Sequence, residues 1–303
     1  MIYTVTFNPA LDYVMNLKEL QSKDINRTES EQLYYGGKGI NVSVILSRLG
    51  VENKALGFLA GFSGKKIEEM LNAENINNDF VYLKKGYTRI NVKIKAEKDY
   101  DINAQGPDID ADEINALFDK LEKLKKGDYL VLAGSIPNSL PDDIYEEILA
   151  KLQNKGVNFA VDATGDLLLN VLKYKPFLIK PNHHELGDIF GVEVKDEAEI
   201  AYYAKKLQEM GARNVLVSRS KDGATLVDEF GKVHSMGNVA GKVINPVGCG
   251  DSMVAGFIAG YAKSNDYYYA LKLGSACGNA TAFCSGLADR GTIDKMLESE
   301  YLK

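Results

Sequence analysis

Two glycine clusters stand beside residues that could hold an anion or move a proton. The first reads Gly36-Gly37-Lys38-Gly39-Ile40-Asn41, and the second Asn245-Pro246-Val247-Gly248-Cys249-Gly250-Asp251-Ser252. The runs that follow, Ile40 to Leu49 and Met253 to Ala262, are of helical character, so each cluster is expected to open a helix. The first backbone N–H groups of a helix have no partner within it, and with the helix dipole they attract phosphate. In the second cluster Gly248, Cys249 and Gly250 are small enough to leave those amides bare. Asp251 beside them could accept a proton from a hydroxyl attacking a phosphoryl group. Phosphoryl transfer needs those parts: an aligned nucleophile with its base, and fixed positive dipoles for the transferring oxygens. A carboxylate in a first helical turn can equally be a plain cap, so Asp251 taken alone leaves both readings open.

Other phosphate and metal chemistries are disfavoured by position. Gln32 stands where the first glycine of G-x-x-x-x-G-K-[ST] would fall, and Val42 and Met253 occupy the third glycine position of G-x-G-x-x-G. His183-His184-Glu185 is followed three residues on by Asp188, so His-Glu-x-x-His fails. The three cysteines, Cys249, Cys277 and Cys284, form no C-x-x-C pair and no disulfide framework. With 36 Lys+Arg against 42 Asp+Glu the net charge is −6, which argues against a nucleic-acid partner. Apolar runs such as Val254 to Ala262 fall short of the ~18 residues a membrane span needs, and the start MIYTVTFNPALD has no secretory pattern. No membrane partner and a cytoplasmic location are expected.

The elements that must position these clusters can be read from the pattern. Asp128 to Ala133, Val157 to Ala163, Phe177 to Lys180 and Asn214 to Ser218 are short apolar runs. Between them, Pro141 to Asn154 and Asp196 to Met210 have helical spacing, with Pro141 in a first turn and Gly156 and Gly211 after last turns. Near-continuous apolar strands alternating with helices predict a parallel sheet covered on both faces. Ile2 to Phe7 could open that sheet, and Tyr267 to Ser285 reads as a helix holding Cys277 and Cys284 as packing residues. Arg89 to Lys95 (RINVKIK) alternates instead, with Arg89, Asn91, Lys93 and Lys95 on one face and Ile90, Val92 and Ile94 on the other. Such a two-faced strand belongs in a small accessory sheet. Excursions at about 12–36 and 86–105 are expected to build it, as a lid on a single 303-residue catalytic domain.

Together these residues resemble the ribokinase-type, or PfkB, family of carbohydrate kinases. Its two signatures correspond to Gly36-Gly37-Lys38-Gly39-x-Asn41 and Asn245-x-x-Gly248-x-Gly250-Asp251-Ser252. The likeness runs nearly the whole chain, through Asn8-Pro9-Ala10-Leu11-Asp12, Thr88 to Ile94, Ala133-Gly134-Ser135-Ile136-Pro137, Lys180-Pro181-Asn182-x-x-Glu185-Leu186 and Asp222-Gly223-Ala224. NPALD, TRINVKI and AGSIP resemble the branch acting on phosphorylated ketohexoses. The resemblance implies an α/β, three-layer ribokinase-like sandwich with a mostly parallel central sheet and a small β-sheet lid, often paired with a second lid in a dimer. It implies ATP-dependent phosphorylation of fructose 1-phosphate at O6, using Mg2+. The alternatives are a tagatose-6-phosphate kinase and, on the same fold, a non-catalytic sugar or nucleotide sensor.

The same resemblance implies roles for single residues. Asp251 would be the general base, with Gly248, Cys249 and Gly250 as the anion hole. Asp12 and Asn41 would meet sugar hydroxyls, with Gly37 and Ser135 beside them. Asn182 and Glu185 would organise Mg2+ through water, Ser218, Arg219, Ser220, Lys221, Asp222 and Gly223 would run along the nucleotide, and Asn279 would lie near adenine. The substrate's own phosphate calls for fixed cations, which Lys38 and Arg89 could supply. Lys93 and Lys95 read instead as charges protecting an edge strand. Two departures from the family pattern stand out: Ser220 where a glycine is usual, and Cys249 where an alanine is usual. A thiol at a helix N-terminus tends towards a lowered pKa, so Cys249 is expected to be open to oxidation or alkylation, with ATP protecting it.

Overall fold

In the computed structural model, which describes residues 1–299, the chain opens with β1 (Ile2–Thr6) and leaves for a small sheet as β2 (Ala10–Asn16) and β3 (Ser30–Gly36). It returns as α1 (Lys38–Arg48), β4 (Asn53–Leu59), α2 (Gly61–Ala73) and β5 (Val81–Tyr82), then leaves again as β6 (Arg89–Lys95) and β7 (Tyr100–Ile102). Alternation follows: α3 (Ala111–Leu121), β8 (Tyr129–Ala133), α4 (Ile144–Leu152), β9 (Asn158–Asp162), α5 (Gly165–Val171), β10 (Leu178–Ile179), α6 (His183–Phe190), α7 (Glu197–Glu209) and β11 (Asn214–Ser218). A hairpin, β12 (Ala224–Val227) and β13 (Val233–Met236), precedes α8 (Cys249–Ser264), α9 (Tyr267–Ala282) and α10 (Arg290–Leu297).

The large sheet has nine strands in the order β13-β12-β11-β10-β9-β8-β1-β4-β5. Neighbours from β11 to β5 pair in parallel, and only the hairpin edge is antiparallel. Its strands are apolar on both faces because helices cover both. In β8, Leu130 and Leu132 enter the core beneath α3 to α7, whereas Val131 and Ala133 enter the core beneath α1, α8, α9 and α10. These are the three layers of a ribokinase-like α/β fold. A third cluster, with Leu11, Ile40, Val44, Leu59, Ile67 and Leu71, roots the small sheet on α1 and α2.

The small sheet runs β3-β2-β6-β7, with β2 and β6 parallel. Its register puts Tyr34, Asp12 and Asn91 in one row, and Gly36, Ala10 and Arg89 in another on the same face. The opposite face carries Leu33, Tyr13, Val92 and Ile102, then Met15, Ile94 and Tyr100. Polar and apolar residues are thus segregated, as the alternation of RINVKIK requires.

Four details differ from the sequence reading. β6 is an interior strand, so Lys93 and Lys95 protect no edge; they pair with Asp101 at 3.9 Å and Asp99 at 2.5 Å. The stretch expected to be helical from Pro141 begins at Ile144, because Pro141 lies in the turn ahead, its carbonyl accepting from Ile144 N at 3.1 Å. At its end, Gln153–Lys155 tightens into one 3-10 turn closed by Gly156 in the left-handed region. The α9 helix ends at Ala282, so Cys284 lies beyond it while Cys277 is buried within it. Among the described residues no helix is long and apolar enough to cross a membrane.

Candidate active site

A parallel sheet with helices on both faces presents its loops and helix N-termini at the carboxyl ends of its strands, which is where such folds bind ligands. Nearly every candidate residue falls there. α1 follows the turn Gly36-Gly37, Ser135 follows β8, Asp162 ends β9, Lys180 follows β10 and Ser218 ends β11. α8 reaches the same place from the far end of the chain, and Asn41 Nδ2 on α1 donates to Asp251 Oδ2 on α8 at 2.8 Å. The cap reading of Asp251 is thereby overturned. Gly248 is the N-cap of α8, no side chain caps that helix, and the Asp251 carboxylate is spent across the site on Asn41. Gly248 has φ +83°, and a Cβ there would stand 2.7 Å from Leu287 Cδ2, so the turn into the helix requires glycine.

Behind Asp251 lies a charge cluster that the motifs only half revealed. Lys38 Nζ and Lys180 Nζ each stand 3.3 Å from Asp162, one on each carboxylate oxygen. Asp162 and Lys180 are almost fully buried, and the Lys180 ammonium lies against Gly250, 3.2 Å from where a Cβ would be. The sequence pattern assigns neither a role, although Lys180 stands inside the Lys180-Pro181-Asn182 motif. The available signal was their position at the carboxyl ends of β9 and β10. Burial pushes the Asp251 carboxyl up to about 6, the Asp162 charge adds to this, and Asn41, Lys38 and Lys180 oppose it. Burial works against the Lys38 ammonium, but Asp162, Asp251 and Glu185 outweigh it and hold its proton affinity above the ordinary value.

Cys249 departs from expectation. Burial, reinforced by the nearby Asp251 charge, pushes its thiol up to about 11, so the helix N-terminus does not yield a reactive thiolate. Its Sγ lies 3.8 Å from the Asn245 carbonyl, and its first-turn amide makes only a long 3.5 Å hydrogen bond to Pro246 O.

The small sheet contributes Asp12 and Arg89. Burial raises the Asp12 carboxyl, against a 2.8 Å hydrogen bond from Asn91 and the charges of Lys93 and Arg89. Arg89 is half-buried, donating through Nε to Asn8 O and through Nη1 to Ala104 O, both at 3.2 Å. Ser135 is exposed in its loop, which Tyr145 steadies by donating to Gly134 O at 3.0 Å. Gly37 is the N-cap of α1.

Asn182 and Glu185 cap α6 reciprocally: Asn182 Oδ1 accepts from His184 N and Glu185 N at 2.9 Å, and Glu185 Oε2 accepts from Asn182 N at 2.7 Å. Ser218 N donates to Pro181 O at 3.2 Å, tying the next strand end to this cap. Arg219, Ser220, Lys221, Asp222 and Gly223 then turn back, with Arg219 N donating to Gly223 O at 2.7 Å. Ser220 has φ +54°, the left-handed conformation that the usual glycine would adopt easily. Asn279 is buried with both ends of its amide in use, to Ser275 O at 2.8 Å and from Val239 N at 3.1 Å, so it fixes the segment before α8. The structure therefore brings Lys38, Asn41, Gly250 and Asp251 into one cluster, leaves Asp12 and Arg89 on the small sheet, and sets Asn182 to Gly223 along the opposite rim.

Residues 5–293 match the sequence model described as pfkB family carbohydrate kinase. The chain belongs to that family. This pfkB kinase is 43% identical to a 1-phosphofructokinase of Bacillus subtilis, over 98% of its own length and 97% of the relative's. It is 37% identical to a D-tagatose-1-phosphate kinase of Bacillus licheniformis, over 97% of each chain. Among solved structures it resembles a tetrameric inhibited form of phosphofructokinase-2 from Escherichia coli, with TM-score 0.90 and 26% identity over 99% of this chain and 98% of that one. Kinases of this family transfer phosphate from ATP, and a glycine-rich helix start next to a buried carboxylate suits that chemistry.

Proposed function

We propose that this kinase phosphorylates fructose 1-phosphate at O6 with ATP, giving fructose 1,6-bisphosphate, and that Asp251 is the general base. The observation that carries the reading is the buried Asp251 carboxylate, held by Asn41 at 2.8 Å beside the open first turn of α8 and the Lys180 ammonium. Asp251 takes the proton from O6–H as O6 bonds to the γ-phosphorus and the bond to the bridging β-oxygen breaks, releasing ADP. The Gly248, Cys249 and Gly250 amides and Lys180 face the transferring oxygens. Asp12 and Asn41 take the sugar hydroxyls, with Gly37 and Ser135 lining that end, while Lys38 and Arg89 meet the 1-phosphate. Asn182, Ser218 to Gly223 and Asn279 form the nucleotide side.

Mg2+ fits the acidic residue on that side only as a hydrated ion. Among the described residues no three acids, histidines or cysteines converge, and Glu185 already spends Oε2 on its cap. One hard carboxylate suits an ion held mainly by water and phosphate oxygens. Glu185 would hold it through water, and the ion would neutralise charge on the phosphates.

The tagatose-6-phosphate alternative gains nothing from the 37% identical relative, which is a D-tagatose-1-phosphate kinase; its name places the phosphate at the same end as in fructose 1-phosphate and brings in tagatose 1-phosphate as a second candidate substrate. The sensor reading gains no support, since a sensor needs no buried base. A second copy is proposed to cover the apolar outer face of the small sheet, and a cytoplasmic setting accords with soluble, phosphorylated substrates. A coupled ADP-release assay tests the substrate against fructose 1-phosphate, tagatose 1-phosphate, tagatose 6-phosphate and fructose 6-phosphate. The highest kcat/KM is expected for fructose 1-phosphate. A higher value for tagatose 1-phosphate, tagatose 6-phosphate or fructose 6-phosphate would put that substrate in its place, and no turnover of any of the four would reject the whole reading.

A further inference from the structure

Asn91 lies two residues from Arg89 on the same face of β6 and is only 6% exposed. A buried amide weakens a sheet unless its hydrogen bonds are made. Asn91 makes both: Nδ2 donates to Asp12 Oδ1 at 2.8 Å, and Oδ1 accepts from Ala104 N at 3.2 Å. The Ala104 peptide is gripped on its other side too, its carbonyl accepting from Arg89 Nη1 at 3.2 Å. Arg89 Nε in turn donates to Asn8 O, and Asn8 Nδ2 donates to Gln105 O at 2.8 Å. Gly106 completes this crossing with φ +96°, and a Cβ there would stand 2.5 Å from Asn8 Oδ1, so only glycine fits. On the far side of Asp12, a Cβ on Gly36 would stand 2.8 Å from Oδ2. One Asp12 oxygen is tied and the other confined.

We propose that Asn91 is a positioning residue: with the strap 104–106 it holds Asp12 and Arg89 as one unit, so that recognition of the sugar's hydroxyls and of its phosphate is coupled. This rests on the reading of Asp12 and Arg89 as sugar-phosphate contacts. Asn91 touches no substrate; it acts by fixing the direction of the Asp12 carboxylate and the peptide against which the guanidinium is braced.

The test is a double-mutant cycle of Asn91→Ala with Asp12→Asn, plus Gly106→Ala, which alters the strap alone. Asn91→Ala is expected to raise KM for the sugar phosphate by about tenfold or more, the effect of losing a hydrogen bond to a charged group, with ATP KM within about twofold of wild type. The double variant should fall well short of the product of the two single losses, because the singles share the Asn91–Asp12 interaction. Gly106→Ala should move the sugar KM in the same direction, and it carries the test if Asn91→Ala does not fold. Multiplicative losses in the double variant, an equal rise in ATP KM, or an unmoved sugar KM in Gly106→Ala would overturn the proposal. If wild type prefers another carbohydrate acceptor, the cycle is run on that acceptor, so the coupling and the substrate assignment fail separately.

Discussion

Asp251 keeps its charge where water cannot solvate it, and that has two measurable consequences. The proposed base must be unprotonated to act, so kcat/KM should climb with pH through about 6, the value to which burial and Asp162 raise this carboxyl. Asp251→Asn should lower kcat by at least ~10²-fold while ATP binding, followed by calorimetry, stays within a few-fold. The same substitution should stabilise the protein. A folded-state pKa above the ordinary carboxylate value means that the native state favours the protonated form, a contribution present below about pH 4 and lost as pH rises through about 6. The asparagine variant is therefore expected to melt higher at pH 8, by on the order of 1–3 kcal/mol, with the gap closing towards pH 4. An equal or lower Tm at pH 8 would remove the desolvation argument. Asp162→Asn tests the neighbouring charge: the acid limb should move to lower pH, because a negative neighbour is gone and Lys38 and Lys180 are left unneutralised. Breaking that buried pairing should also cost about 3–5 kcal/mol in denaturant melts. Asp251 was legible in the sequence because a glycine cluster announced it. Asp162 was not, since a lone Asp at the end of an apolar run carries no local mark, and its meaning depends on two lysines distant in the chain.

At the level of elements, the loop between β11 and β12 shows how a motif can be kept in shape without its usual residue. Ser220 adopts φ +54°, which costs a residue with a Cβ about 1 kcal/mol or more. Ser220→Gly should raise stability by about 0.5–1 kcal/mol and change ATP KM by less than about twofold, as read from thermal melts and kinetics. A fall in Tm would mean that the serine side chain holds the loop. The strands and helices around it were largely legible, because each strand buries both faces and each helix one, and those periods differ. Asp196 to Met210 became α7 with Asp196 as its cap. The edges were less so. Pro141 reads as a first-turn residue by type, but its own turn precedes the helix, and Lys95 looked like edge protection because the pairing of β7 across residues 100–102 has no strong pattern of its own.

For the whole molecule, the outer face of the small sheet is its most conspicuous unfinished surface. Leu33, Ile102 and Tyr100 are 42%, 59% and 43% exposed, side by side with Tyr13, Val92 and Ile94. A contiguous apolar patch of this kind calls for a partner. Sedimentation at micromolar concentration is expected to give a dimer, and Leu33→Lys with Ile102→Lys a monomer; a monomeric wild type would leave the face to another role. The contact between Asn41 and Asp251 bears on the molecule's history as well as its chemistry. The two residues are 210 positions apart in sequence. At ~5–20 residues per second, roughly 10–40 seconds of synthesis separate them on the ribosome. Throughout that interval the N-terminal half can lay down strands and the small sheet, but it lacks α8 and with it the proposed base and anion hole. On the proposed mechanism, the segment made before α8 can bind a sugar phosphate through the small sheet but cannot transfer phosphate to it.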